Sequence, residues 1–400
     1  MYRICCFCAS KINMSRTPAD RKFKHDATFW SVALQSAVFG FFMGGFGPAQ
    51  PLLQSDQGTS GTIAGLHGTS LGLASILAGL LNARVVHKFG RFKTSWIGIG
   101  IFGVGAMMFI VAPSPIISIS ASAIIGIGVS LTINSGFALL THHFKNDQTR
   151  AASQANGVNS LFVVFGTLLI GALAGTSINW RFGLLLIFPA GLTLYIFAQK
   201  HHTDEHVPEP SGRQSGKLSG KYWVGWLAIT LCISSEFAMT FWSASLFRDR
   251  TDFSAASATV AVLAGSLGMA LGRWFGPLLM THIDLDQRLI FLLLFQLFGF
   301  TLFWFSHGAL FSFVGLLISG LGISMQFTLN SLRLIRLSEN RPDLAMGISA
   351  LGAGSAIAIA PLLLGFLADQ IGISKGYLMV PAIVTIAIVL VLATPTKELR

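Results

Sequence analysis

Leu168-Leu169-Ile170-Gly171-Ala172-Leu173-Ala174 and Leu362-Leu363-Leu364-Gly365-Phe366-Leu367-Ala368 are one pattern written twice, 194 residues apart. Gly126-Ile127-Gly128-Val129-Ser130 returns at the same offset as Gly320-Leu321-Gly322-Ile323-Ser324, and Gly79 with Ala83 returns 193 residues on as Gly272 with Gly276. Single matches between small residues arise by chance in glycine-rich helices; three agreeing offsets mark an internal repeat.

Outward from these stretches, runs of about 18 or more residues almost free of charge predict helices near 29–52, 60–83, 95–112, 115–139, 151–175 and 182–199. A second set follows near 222–247, 256–280, 289–306, 309–332, 344–368 and 376–394. Each is long enough for the roughly 20 residues that cross about 30 Å of hydrocarbon. Six helices separate equivalent positions, so the copies share one orientation and repeat about an axis along the membrane normal. The expected fold is an all-α polytopic membrane protein with twelve transmembrane helices in two six-helix halves. Its parts are a tail over 1–28, a half over 29–199, a linker over 200–221, a half over 222–394 and a tail over 395–400. The linker carries His201, His202, Asp204, Glu205, Pro208, Pro210 and Gly212, a composition that buries no core.

With 52% hydrophobic and 11% charged residues, 400 residues cannot cover themselves with polar surface, which excludes a soluble globular class. The net charge of +11 raises the question of nucleic acid, but the basic residues fall in clusters between apolar runs rather than along a stripe, so no nucleic-acid partner is expected. Of the 27 Lys and Arg, only Arg181, Arg248, Arg250 and Lys375 fall on one side of the predicted spans and Arg273 falls within one, leaving 22 on the other side. Positive loops stay in the cytoplasm, so both termini and the linker are expected there, in a plasma or inner membrane. Cys5, Cys6 and Cys8 crowd the N-terminus and Cys232 stands alone, so neither a disulfide framework nor a metal site is expected. Met14 offers a second start, and no cleavable signal pattern precedes the first apolar run.

After the second predicted helix the chain reads Ala83-Arg84-Val85-Val86-His87-Lys88-Phe89-Gly90-Arg91-Phe92-Lys93. This resembles the Gly-x-x-x-Asp-Arg/Lys-x-Gly-Arg/Lys-Arg/Lys signature of the major facilitator superfamily, with Lys88, Gly90 and Arg91 matching and His87 in the acidic place. Trp180-Arg181 at the sixth helix and Leu364-Gly365-Phe366-Leu367-Ala368-Asp369 in the eleventh resemble the same family, over about residues 27 to 396. The resemblance implies a secondary transporter working by alternating access, with a gating loop at His87, Lys88, Gly90 and Arg91. The family aspartate is thought to pair across the gate, and His87 offers no permanent anion in its place.

Within the twelve runs only Glu236 and Arg273 are formally charged, and a charge in hydrocarbon costs several kcal/mol unless it meets a partner or a wet cavity. Glu236 lies about 21 Å from the start of its helix at 1.5 Å per residue, near mid-membrane. It is expected to exchange a proton between access states or to hold a cationic substrate, with a purely structural hydrogen bond as the bland alternative. Trp242 is a candidate to stack on substrate, or simply to pack. Arg273, about 10 Å from the basic end of its helix, is expected to be structural or gating, since an ion pair with Glu236 has to bridge about 10 Å of depth.

The resemblance implies that helices one, four, seven and ten line the cavity, which makes Gln35, Asn134, Gln326 and Asn330 candidates, the two asparagines being nearly repeat-equivalent. No nucleotide-binding, metal-hydrolase or nucleophile-elbow motif is present, so neither an enzyme nor a cofactor is expected. The expected partners are a small-molecule substrate, the bilayer, and protons as the candidate coupling ion. Efflux of a small hydrophobic molecule is slightly favoured over uptake of a sugar or metabolite. A transport-silent membrane sensor or partner-binding protein is the alternative of another class.

Overall fold

Hydrocarbon offers no partner to a backbone N–H or carbonyl, so each long apolar run satisfies its own as helix. The computed structural model describes residues 23–59, 61–174, 176–200, 214–250 and 255–396. Cys5, Cys6, Cys8, Met14, linker residues 201–213 and residues 397–400 lie outside them. The N-terminal half comprises α1 (Ala27–Gln57), α2 (Gly61–Phe89), α3 (Arg91–Val111), α4 (Pro115–His143), α5 (Gln148–Ala174), α6 (Arg181–Leu185) and α7 (Ile187–Lys200). The C-terminal half comprises α8 (Gly220–Arg250), α9 (Ala255–Leu279), α10 (Leu285–Phe305), α11 (Ala309–Ile323), α12 (Gln326–Leu337), α13 (Pro342–Ile371), α14 (Ile373–Gly376) and α15 (Met379–Ala393).

Among the described residues 11 stretches are long and apolar enough to cross a membrane, with α6–α7, α11–α12 and α14–α15 each making one span. The 25-residue α9 completes the twelve. Large apolar side chains left exposed, such as Leu77, Phe298, Phe305 and Val389, form the lipid-facing surface. Several boundaries depart from the sequence expectation for local reasons. Gly90, at φ 79°, reverses the chain, so α3 restarts at Arg91 rather than near 95. The tenth span breaks at Ser324 and Met325, where its repeat equivalent α4 runs unbroken.

An offset of 194 maps specific contacts as well as sequence. A Cβ on Gly126 would lie 2.2 Å from the Leu71 carbonyl, and one on Gly320 would lie 2.0 Å from the Gly265 carbonyl. Both members of the first contact are shifted by 194 in the second. Gly105 against Ile125 returns as Gly299 against Ser319, and Gly128 against Phe102 as Gly322 against Gln296. The repeat is therefore a repeat of backbone approach, which small residues permit in a bilayer.

Each half has its own apolar core, with Phe42, Phe102, Phe109 and Ile125 in one and Met239, Leu293, Phe303 and Val384 in the other. The halves meet along two seams, α2 against α13 and α5 against α9, which are repeat equivalents of each other. In the first, Gly79 faces Gly347 and Gly72 faces Gly354 across backbone carbonyls.

Gly126→Ala and Gly320→Ala are each expected to cost about 1–3 kcal/mol through forced backbone displacement. Gly171→Ala, whose Cβ would meet nothing within 4 Å, is expected to be neutral. Thermal unfolding in detergent, followed by size-exclusion fluorescence, checks the contrast.

Candidate functional site

At the end of the bundle that carries Arg84, Lys88, Lys145 and Arg341, here the basic end, the turn at Gly90 aims Arg91 across the α2–α13 seam. Arg91 Nε and Nη2 donate to Asp343 Oδ1 and Oδ2, both at 2.8 Å, with both residues buried. Asp343 opens α13, where an acid also suits the helix dipole. Gln214 Oε1 accepts from the Asp343 and Leu344 N–H groups, and Asn82 Nδ2 donates to the Asp343 carbonyl at 3.5 Å. His87 and Lys88 are exposed on the last turn of α2, Lys88 lying 5.1 Å from the Phe89 ring centroid. The anion missing at position 87 thus comes from the other half. Sequence reading missed Asp343; the available signal was an acid directly after Arg341-Pro342 at a helix start.

Deeper in the bundle, Arg273 of α9 is 8% exposed and its guanidinium meets three other spans. Nη2 donates to Glu236 Oε1 of α8 at 3.0 Å, Nε donates to the Ser324 carbonyl at the α11–α12 break at 2.8 Å, and Nη1 donates to Ser160 Oγ of α5. The ion pair between Glu236 and Arg273, set aside because it had to bridge about 10 Å of depth, thus forms. Counting residues from helix ends ignores tilt and the reach of an extended arginine side chain, which together close the gap.

Beside this pair lies a run of amides. Gln326 Nε2 donates to Gln296 Oε1 at 2.7 Å, Gln296 Nε2 to Ser235 Oγ at 3.1 Å, and Asn330 Nδ2 to Cys232 Sγ at 3.4 Å. Gln326 Oε1 and Asn330 Oδ1, one turn apart, are buried acceptors with no donor among the described residues. The structure therefore gathers Glu236, Arg273, Gln326 and Asn330, and adds Gln296, which sequence reading missed by leaving the ninth span out of the lining.

The remaining candidates stand apart from that run of contacts. Gln35 is fully buried on α1 with both amide atoms unpartnered among the described residues, and Asn134 donates to Ser130 Oγ at 3.2 Å. Trp242 is half-buried, and a Cβ on Gly365 would lie 2.8 Å from its indole, so the ring packs on the backbone of α13. Asn134 and Asn330 are not repeat equivalents, because the contact-preserving offset places Asn330 on Gly136.

The same offset places Glu236 on Phe42, Gln296 on Phe102, Gln326 on Thr132 and Arg273 on Gly79, which corrects the sequence match of Gly79 with Gly272, because Gly272 faces Ser324 rather than the α5–α9 seam. Phe42 and Phe102 pack edge to face at 5.4 Å. One fold position thus holds an aromatic core in the N-terminal half and a polar cluster in the C-terminal half, so the architecture itself does not require the polar residues.

Two halves that meet along two seams, with the Arg91–Asp343 pair across one and Arg273, held by the partly exposed Glu236, reaching Ser160 across the other, are the build of a transporter of small solutes. The model of the Major Facilitator Superfamily matches residues 32–341, and the chain belongs to that family. It is thus a multi-pass membrane transporter and not an enzyme. The Escherichia coli fucose:proton symporter FucP superposes with a TM-score of 0.73 at 13% identity, covering 92% of this chain and 99% of that one. The proton:xylose symporter XylE gives 0.70 at 13% identity, covering 92% and 95%. The uncharacterized MFS-type transporter EfpA of Mycobacterium tuberculosis is 27% identical over 122 residues, which are 30% of this chain and 23% of that relative.

Removing one partner of a buried ion pair costs about 3–5 kcal/mol. Arg91→Ala or Asp343→Asn is therefore expected to open the basic end. In a background lacking other accessible thiols, a Ser135→Cys reporter, buried beside Asn82, should label at least tenfold faster, and Arg91→Asp with Asp343→Arg should restore part of the protection.

Proposed function

We propose that this protein is a secondary active transporter that couples a small molecule to protons by alternating access, with Glu236 as the coupling carboxylate. The observation that carries the reading is the asymmetry between the halves: a carboxylate, a guanidinium and amides stand where the repeat has Phe42, Gly79, Phe102 and Thr132. Polar residues that a fold does without are retained for chemistry. Ionised, Glu236 forms a charge-assisted bond with Arg273; protonated, it leaves that bond weaker by roughly half. Proton binding thereby weakens a bond inside the C-terminal half, on the same guanidinium that bonds Ser160 of the N-terminal half, and so couples the charge on Glu236 to the contact between the halves.

The basic end is read as cytoplasmic, in a cell membrane, and the Arg91–Asp343 pair as the gate closed on that side. Half-buried Phe237, Trp242 and Phe327 on α8 and α12 favour a partly apolar cargo, and export is the direction to assay first. The unpartnered Gln326 and Asn330 oxygens favour a second reading, uptake of a hydroxyl-bearing solute, as in the two symporters named above.

In proteoliposomes, substrate-driven proton flux measured over a panel of lipophilic cations, sugars and weak acids is expected in the wild type. It should fall at least tenfold in Glu236→Gln at equal insertion, with substrate exchange kept. Equal flux in both proteins would remove Glu236 from the coupling role.

A further inference from the structure

The two seams between the halves are repeat equivalents, yet they are built differently. Gly79 faces Gly347 on the α2–α13 seam; at the same positions on the α5–α9 seam, Arg273 faces Ser153, whose Oγ donates to the Arg273 carbonyl at 2.8 Å. Gly354 of the first seam corresponds to Ser160 of the second. A Cβ on Gly157, one turn before Ser160, would come within 3.3 Å of Arg273 Cβ, so α5 lies against the backbone that carries the guanidinium. Along its length one seam is a close glycine contact, tied at the basic end by Asn82, Arg91 and Asp343. The other brings a hydroxyl of the N-terminal half onto the arginine that pairs with Glu236.

We propose that Ser160 is the positioning residue through which the N-terminal half reads the charge on Glu236. The inference rests on the coupling role of Glu236. With Glu236 ionised, the guanidinium is fixed at three points, on Glu236, on Ser160 and on the Ser324 carbonyl, and α5 is tied to α8, α9 and the break in the tenth span. When the carboxylate takes up one proton it becomes a neutral acid. Guanidinium groups stay charged in proteins. Arg273 is left with two neutral acceptors, so the bond to Ser160 loses its anchor and the hold of α5 on α9 falls back on Ser153 and Gln154, which bond the Arg273 and Trp274 carbonyls. Loss of the proton rebuilds the three-point hold.

The charged and titratable groups around this centre are Arg273 from α9, Cys232 on the helix of Glu236, and Arg333 of α12, whose field reaches Cys232. α5 meets it with the neutral Ser160, and α10 with Gln296 through Ser235. At the basic mouth of the seam His25 stacks on Trp274 with ring centroids 5.6 Å apart and bonds Gln154, so it is a second titratable group on the same seam.

The test uses full-length protein in nanodiscs with spin labels at Thr149 and His282, which line one cavity at the basic end. The distance between them is followed against pH in the wild type, Ser160→Ala, Ser160→Thr and Glu236→Gln, and again in a His25→Gln background. Ser160→Ala is expected to abolish the pH-dependent distance change and to lower proton-driven accumulation in liposomes about tenfold or more, the fold-change of one lost hydrogen bond to a charged group, while substrate exchange continues. Ser160→Thr restores both. If Ser160→Ala folds poorly, Ser160→Cys, with a weakly accepting sulfur of similar volume, is read the same way. A wild-type distance change and accumulation in Ser160→Ala, alongside their loss in Glu236→Gln, would overturn the role of Ser160 alone. A wild-type response in Glu236→Gln would overturn the coupling reading beneath it.

Discussion

No water reaches a backbone group inside hydrocarbon, and from that constraint follow the helices, the way they pack and the site where they break. A helix closes its own hydrogen bonds, so contacts between spans are left to shape, and the closest of them use glycine: Gly126 on Leu71, Gly320 on Gly265, Gly79 on Gly347. Where the tenth span is interrupted, the Ser324 carbonyl loses its place in the helix ladder and accepts from Arg273 instead. The guanidinium in turn brings Glu236 and Ser160 to the same point. An interruption in one helix thus becomes a junction of four.

The halves share a backbone plan and differ in chemistry. Phe42, Phe102 and Phe109 make the N-terminal half a rigid aromatic block, whereas the equivalent region of the C-terminal half carries Glu236, Gln296 and Gln326. The joints differ as well, with a glycine contact along α2–α13, closed at the basic end by Arg91 and Asp343, and an arginine contact along α5–α9. Such a division suits a machine in which one half is a frame and the other senses. At the opposite end of the N-terminal half, Asp56 accepts from Trp180 Nε1 and pairs with Arg181 at 3.1 Å, which fastens the short α6 to α1.

Apolar run length, the repeat offset and the rarity of charge are local properties of the chain, and they specified by themselves a two-fold bundle of twelve spans with Glu236 and Arg273 as the charges within the predicted runs. Gly90 was legible through its place in the family signature, whereas its left-handed turn directly between α2 and α3, a conformation that favours glycine, was not. Which side chains meet was not legible. Arg91 finds Asp343 across 252 residues, Arg273 finds Ser160 across 113, and even the pair of Glu236 with Arg273, only 37 apart, was set aside by counting residues along straight helices. Those pairings depend on the rotation, tilt and approach of helices set by contacts elsewhere, such as glycine against carbonyl, and no residue carries that information in its own neighbourhood of sequence.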